Sequence, residues 1–243
     1  MKLSIAIPVY NEEGRLPVKL APYLEYLEKH LPDYELIFVD DGSTDGTLKF
    51  LDSLATVNSR VKIIHNTVNR GRGFGMRAGV LAASGEYVLE TDADLPVSPE
   101  YIDKFIDFLA ANPDVGLIMG SRELPGSIFV LGQPPLRVFA GKVFHIIFGF
   151  LFGVKFKDVM CGFKMFRQKV AKDIFHYVYD DKYLAAGEVI YVAHKFGYKI
   201  KEAPISWEDD RRSKVFILKD SFRTLLGMWN LTVRNLRGKY RKK

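Results

Sequence analysis

The sequence has very little cysteine. Cys161 is the only one among 243 residues, so no disulfide can form within the chain. This fits a reducing compartment such as the cytoplasm, because disulfides persist mainly under oxidising conditions. An internal repeat and a linker rich in serine and glycine are also missing. We therefore expect neither a disulfide-stabilised scaffold nor a repeat protein.

Long hydrophobic runs are missing as well. The most apolar stretch without a charge covers residues 143–154, whereas a helix needs about 20 residues to cross the core of a bilayer. The first segment, MKLSIAIPVYNEEG, has an apolar run too short for a secretory signal. We expect no transmembrane anchor, so that any membrane contact should lie at the interface between lipid and water.

Basic residues are concentrated at one end of the chain. The net charge is +6, but residues 211–243 hold eleven basic residues and one acid, which leaves about −4 for the rest. This distribution argues against nucleic-acid binding by the part of the chain before the basic tail. Hydrophobic residues make up 48% of the chain, enough for a substantial core. We predict one domain over residues 1–214 and a basic extension over residues 215–243.

Short β-type runs alternate with helical stretches through the first half. The predicted strands there cover residues 4–10, 35–41, 61–66, 86–94 and 115–121. Such alternation, with nearly continuous apolar strands, is typical of a parallel sheet covered by helices. We predict an α/β fold: an open, mainly parallel sheet with helices on both faces, followed by an amphipathic C-terminal helix.

Polar residues follow each of these five strands, where ligands bind in open α/β sheets. Asp92 and Asp94 form the strongest local signal. Two carboxylates one residue apart, on a turn leaving a sheet, can reach a divalent cation that bridges two phosphates. Such triplets are common in solvated turns, but the position after a buried strand favours function. The sequence predicts a Mg²⁺ or Mn²⁺ site that neutralises a departing nucleoside diphosphate.

Two further loops support this site less specifically. Asp40, at the end of the second strand, can accept hydrogen bonds from a nucleobase, although the segment around it also makes a good turn and helix cap. Residues 69–79, NRGRGFGMRAG, place glycines before a helix, where backbone amides can point at phosphate. Their spacing matches neither a dinucleotide fingerprint nor a P-loop.

Six segments of the sequence form a recognisable set. They are IAIPVYNEEG, VDDGSTDGT, TDAD, GSR, DVMCGFKMF, and KEAPISW followed by Ser213 and Lys214. Together, over about residues 3–214, they resemble glycosyltransferase family 2. Within it they are similar to the polyprenyl-phosphate sugar transferases, a branch that includes dolichyl-phosphate glucosyltransferases and mannose synthases. The processive synthases' QxxRW motif is absent.

The resemblance implies a fold of the glycosyltransferase-A type and a metal-dependent, inverting hexose transfer to a polyprenyl or dolichyl phosphate. The implied donor is UDP-glucose, with GDP-mannose as the alternative. The implied nucleotide-binding residues are Pro8, Tyr10, Glu12, Asp40, Arg72, Asp92, Ala93 and Asp94. Those implied at the acceptor phosphate are Arg122, Arg137 and Lys214. The catalytic set is Asp92, Asp94 and Arg122, and the metal ligands are Asp92 and Asp94.

No general base is expected. A lipid monophosphate has a second pKa of about 6, is largely dianionic at neutral pH and can attack without losing a proton to the enzyme. Glu188 is the reserve candidate, although a salt bridge on a helix surface is its favoured role.

The C-terminal segment has the pattern of a helix lying on anionic lipid. On a helical projection its basic residues form a stripe beside an apolar one. A helix docked on the core with a solvated basic edge is the alternative. The apolar stretch 138–152 is expected to be buried or to guide a prenyl chain.

We expect peripheral binding to the cytoplasmic face of a membrane and no nucleic-acid partner. A rival hypothesis is a non-catalytic protein whose basic tail binds a membrane surface or nucleic acid. The tail's aromatic residues lie in its apolar stripe instead of alternating with basic residues, which disfavours base stacking.

Overall fold

The computed structural model describes residues 1–129, 135–208 and 217–242. The main sheet contains β1 (Leu3–Val9), β2 (Tyr34–Asp41), β3 (Val61–Asn66), β4 (Tyr87–Glu90), β5 (Val115–Ser121), β7 (Lys164–Arg167) and β8 (Lys199–Pro204). A second, two-stranded sheet pairs β6 (Ile128–Phe129) with β9 (Ser206–Trp207). The helices are α1 (Leu16–His30), α2 (Thr47–Val57), α3 (Arg72–Ala82), α4 (Glu100–Ala111), α5 (Pro135–Phe152), α6 (Gln168–Phe175), α7 (Ala185–Lys195) and α8 (Ile217–Leu236).

The main sheet has the strand order β3-β2-β1-β4-β7-β5-β8. Its neighbouring strands run parallel except at β7, which is antiparallel to both β4 and β5. The five strands predicted in the first half of the chain are present, and β4 ends at Glu90, so that residues 91–94 leave the sheet. The predicted open, mainly parallel α/β sheet is confirmed.

Two hydrophobic cores cover the two faces of the sheet, because successive side chains of a strand point to opposite faces. Ile5 and Ile7 belong to the core beneath α1 and α4, together with Leu20 and Phe105. Ala6, between them, belongs to the core beneath α3, α6 and α7. The prediction of helices on both faces is therefore correct.

Helix α8 packs against the second core through Met228 and Leu231, which are buried, while Leu225 and Leu226 on the same helix are exposed. Among the described residues, no helix is both long enough and apolar enough to span a membrane. The predicted domain boundary at residue 214 lies outside the described residues, and the role of α8 at lipid stays a prediction.

Candidate active site

A cleft of about 360 Å³ opens beyond the carboxyl ends of the parallel strands. The structure brings together most of the predicted site residues on its wall. They are Pro8, Tyr10, Glu12, Arg72, Asp92, Ala93, Asp94 and Arg122. Pro8 lies near the end of β1 and the others follow strands β1, β3, β4 and β5, so the topology of the sheet gathers them in one place.

Asp94 is the carboxylate of the cleft with the least compensated charge. No hydrogen bond or ion pair joins it to another described side chain, and its neighbours include the acidic groups of Asp92 and Glu12. Burial, reinforced by the charge of Asp92, raises the pKa of Asp94 to about 7, against the weaker opposing effect of Arg15. The charge of Arg15 thus only partly offsets the burial of Asp94 and the charges of its acidic neighbours, so a further cation beside Asp94 would be favourable.

Asp92 is held by Arg72, the first residue of α3. The Arg72 Nε donates to Asp92 at 2.6 Å, and its Nη2 donates to the fully buried Glu90 at 3.0 Å. Burial opposes the charge of Arg72, but Asp92 and Glu90 outweigh it and raise the arginine's pKa. Gly162 lies so close to Asp92 that a Cβ there would stand 2.0 Å from its Oδ2. The orientation of the Asp92 carboxylate is thus set by Arg72 of α3 and by the close approach of Gly162.

Glu12 is likewise held in place before any ligand binds. Its two carboxylate oxygens accept hydrogen bonds from Nε and Nη2 of Arg15 at 2.6 and 2.5 Å. The backbone N–H of Glu12 donates to the Thr47 hydroxyl at 2.8 Å, which ties the loop after β1 to the start of α2. Both Glu12 and Arg15 lie on the cleft wall.

The structure places Asp41, and not the predicted Asp40, on the wall of the cleft. Asp40 is fully buried, with one carboxylate oxygen 2.8 Å from Nδ1 of His65 on the neighbouring strand. Asp41 accepts a hydrogen bond from the N–H of Gly71 at 2.6 Å. Gly71 has φ +117° and packs against the carbonyl of Asp181, so no other residue fits there without strain. The predicted contact of Asp40 with a nucleobase stays a prediction.

Arg122 lines the cleft, but its charge is paired. The guanidinium donates two hydrogen bonds to the fully buried Asp158, at 2.7 and 2.9 Å, and lies 4.8 Å above the ring of Trp207. Although burial favours the neutral acid, Arg122 lowers the pKa of Asp158 to about 2. Any phosphate that meets Arg122 therefore meets an ion pair and not an isolated cation.

The other two residues predicted at the acceptor phosphate are Arg137 and Lys214. Arg137 belongs to α5, but its side chain lies outside the described residues, as does the whole of Lys214. Their roles stay predictions.

Glu188 forms the predicted salt bridge, with Arg234 at 3.4 Å, but it is fully buried in α7 and away from the cleft wall, so the expected place on a helix surface is wrong. Its carboxylate accepts hydrogen bonds from the backbone N–H groups of Tyr179 and Asp180 and from the hydroxyl of Tyr240. Burial raises its pKa even though these hydrogen bonds favour the charged form. Glu188 connects the loop before α7 to the C-terminal segment.

Sequence reasoning gave no role to seven residues of the cleft wall. They are Val9, Arg15, Met160, Gly162, Tyr183, Ala186 and Trp207. Asn69 and Gly71 lie in the predicted glycine-rich loop, and Asp41 ends the second predicted strand beside Asp40. Val9, Met160, Gly162 and Trp207 belong to the segments that resemble the family, and Arg15 directly follows one of them. Tyr183 and Ala186 lie in a stretch without a motif, where only the tertiary structure could reveal them.

Comparison with known proteins places the chain in a family. The sequence model of Glycosyl transferase family 2 matches residues 4–175. The chain is 32% identical over 250 residues to a dolichyl-phosphate beta-glucosyltransferase of Dictyostelium discoideum, covering 94% of this chain and 76% of that protein. A human dolichyl-phosphate beta-glucosyltransferase is 31% identical over 252 residues, covering 95% and 78%.

The fold has relatives among solved structures. A glucosyl-3-phosphoglycerate synthase from Mycobacterium tuberculosis, in complex with Mn²⁺, UDP-glucose and phosphoglyceric acid, superposes with a TM-score of 0.69 at 17% identity. The match covers 95% of this chain and 79% of that one, and it confirms the predicted nucleotide-sugar transferase fold. With the family model matching more than half of its residues, the chain belongs to glycosyltransferase family 2.

Proposed function

We propose that the protein transfers a hexose from UDP-glucose to a polyprenyl phosphate such as dolichyl phosphate, with inversion at the anomeric carbon. The observation that carries the proposal is the cleft. In it, Asp92 and Asp94 share a wall with the predicted nucleoside-binding residues. The relatives at 31–32% identity, which are dolichyl-phosphate beta-glucosyltransferases, support this choice of acceptor and hexose.

A divalent cation, Mg²⁺ or Mn²⁺, is part of the proposal, and the residues present fit one. Asp92 and Asp94 offer the oxygen ligands that such cations prefer, and the charge of Arg15 only partly offsets the buried negative charge of Asp94. The described residues contain no cluster of three or more His, Cys, Asp or Glu suited to a metal. The remaining ligands would therefore come from the donor diphosphate and water. The cation would supply positive charge to the departing diphosphate.

The chemical step needs no proton transfer to the protein. An oxygen of the acceptor phosphate forms a bond to the anomeric carbon while the bond from that carbon to the UDP oxygen breaks, and UDP leaves with the electron pair. The acceptor is already largely dianionic at neutral pH. Glu188, the reserve candidate for a general base, is buried away from the cleft wall and has no part in this step.

The proposed work of the protein is to hold two anions together. Arg15 fixes Glu12 and Arg72 fixes Asp92 before the donor arrives, so little reorganisation is needed on binding. The ion pair of Arg122 with Asp158 presents guanidinium N–H groups to the cleft at a fixed position. Such fixed donors stabilise charge better than mobile water does.

Peripheral attachment to the cytoplasmic face of a membrane completes the proposal. Helices α5 and α8 contact each other, and both carry exposed apolar side chains, among them Ile146 and Phe150 on α5 and Leu225 on α8. Exposed basic residues lie nearby along the chain, at Lys142 and Lys239. An apolar surface with a basic surround is suited to anionic lipid.

Phe150→Glu is expected to weaken binding to anionic vesicles about tenfold, because it removes an apolar side chain from the lipid and adds a negative charge. Phe150 is 88% exposed, so the change should not disturb the core. Flotation with vesicles of phosphatidylcholine and phosphatidylglycerol measures the effect. Val18→Glu on α1, at a position 73% exposed, is the matched control and should float like wild type. Equal flotation of all three proteins would contradict a lipid-binding role for α5.

A donor assay tests the function itself. The purified chain, dolichyl phosphate in detergent and Mn²⁺ are incubated with labelled UDP-glucose or GDP-mannose, and the lipid extract is counted. We expect lipid-linked label from UDP-glucose and its loss when EDTA removes the cation. Label from GDP-mannose alone would show that the donor is wrong, and label from neither would refute the proposed transfer.

A further inference from the structure

Tyr183 is an exposed polar side chain in the cleft that no step above uses. It stands just before α7, its side chain is 43% exposed, and it lines the cleft with Arg122 and Ala186. No described residue forms a hydrogen bond with its hydroxyl. A phenol is both a donor and an acceptor, so this hydroxyl is available to a ligand.

The loop that carries Tyr183 is fixed through the residues just before it, which contact both α7 and α3. On one side, the N–H groups of Tyr179 and Asp180 donate to the buried Glu188 at 2.9 and 2.7 Å. On the other, Asp181 accepts a hydrogen bond from Arg77 at 2.7 Å, and its carbonyl accepts one from the N–H of Phe74 at 3.2 Å. The backbone just before Tyr183 is thus held in place, which limits where its side chain can meet a ligand.

The same loop adjoins the helices that carry the exposed apolar surface. Leu184, the next residue, packs against Gly227 of α8, and Gly187 lies against the ring of Phe148 of α5. Tyr183 therefore stands where the cleft meets the two helices proposed to contact lipid.

The electrostatic surroundings suit an anion. The phenol lies within electrostatic reach of the guanidinium groups of both Arg72 and Arg122. Both arginines are paired with carboxylates, so an additional neutral donor at this place adds to what they offer a phosphate.

We propose that the Tyr183 hydroxyl donates a hydrogen bond to a phosphate oxygen of the polyprenyl phosphate acceptor and so positions it for attack on the hexose. This inference rests on the proposed function. It adds to the acceptor site a residue from the loop between α6 and α7, on the side of the cleft that faces α5 and α8.

The test is Tyr183→Phe, which keeps the ring and removes only the hydroxyl. With dolichyl phosphate as the varied substrate, kcat/KM should fall roughly tenfold to a hundredfold, the range for a hydrogen bond to a charged group. The dissociation constant for UDP, measured by calorimetry with Mn²⁺, should stay within about twofold of wild type. An unchanged UDP affinity also shows that the variant is folded.

Tyr179→Phe is the matched control, because Tyr179 lies in the same loop, is 38% exposed and does not line the cleft. It should retain the wild-type kcat/KM for dolichyl phosphate. Wild-type kcat/KM in Tyr183→Phe would overturn the inference, as would weaker UDP binding, or a higher KM for UDP-glucose with an unchanged KM for dolichyl phosphate. If wild type itself transfers nothing to dolichyl phosphate, the proposed function fails, which is a different result.

Discussion

Replacing Asp94 by asparagine is expected to lower the rate of hexose transfer by about a hundredfold to a thousandfold. The amide has the size of the carboxylate but no charge with which to hold a cation at the leaving diphosphate. Asp92 remains, yet its carboxylate is already neutralised by Arg72, so it does not replace Asp94. Initial rates with UDP-glucose, dolichyl phosphate and saturating Mn²⁺ measure the loss, and calorimetry should show weaker Mn²⁺ binding.

The same variant should fold normally and lose less thermal stability than wild type when the pH rises from 5 to 8. The folded-state pKa of Asp94, about 7, lies above the ordinary value of 3.8, so the folded protein holds this proton more tightly than the unfolded chain. Its contribution to stability is therefore lost as the pH rises towards 7. Thermal unfolding in EDTA at pH 5 and pH 8 should show a smaller decline for Asp94→Asn than for wild type.

The matched control for Asp94→Asn is Asp52→Asn, an exposed position on α2, which should keep the wild-type rate. If Asp94→Asn transfers hexose at the wild-type rate in the presence of Mn²⁺, then Asp94 does not hold a cation that the reaction needs.

Asp158→Ala is expected to lower the free energy of unfolding by about 3 kcal/mol. Asp158 is fully buried and accepts three hydrogen bonds from Arg122, two from the guanidinium and one from the backbone N–H. Its removal leaves the arginine's charge without a partner in a site largely shielded from water. Urea denaturation at pH 7 gives the difference from the shift in midpoint.

Acid unfolding provides a second readout of this pair. The folded-state pKa of Asp158, about 2, lies below the ordinary value of 3.8. Its stabilisation is therefore present above about pH 4 and lost as the pH falls towards 2. The Asp158→Ala variant should lack this part of the acid destabilisation.

Asp114→Ala is the control for this prediction. Asp114 pairs with Lys199, but both side chains are exposed, so the free energy of unfolding should not change measurably. A similarly small effect for Asp158→Ala would mean that Arg122 finds another partner and that the buried pair does not stabilise the fold.

Local patterns in the sequence determined most of the sheet and the centre of the candidate site. Each parallel strand is a short apolar run, and its end is marked by the polar residues that follow it, as at Asp92 and Asp94. Because the carboxyl ends of parallel strands meet at one edge, a reading of single strands was enough to gather Tyr10, Arg72 and Arg122 in one cleft. These features depend only on residues close together in the chain.

The tertiary structure alone decided which of two adjacent acidic residues faces the cleft and which charged side chains are already paired with one another. Asp40 and Asp41 are adjacent in the sequence, but successive strand residues point to opposite faces, and only Asp41 reaches the cleft wall. The pairing of Arg122 with Asp158 joins residues 36 positions apart. The antiparallel insertion of β7 and the packing of the Tyr183 loop likewise depend on contacts between segments distant in the chain, which no local pattern records.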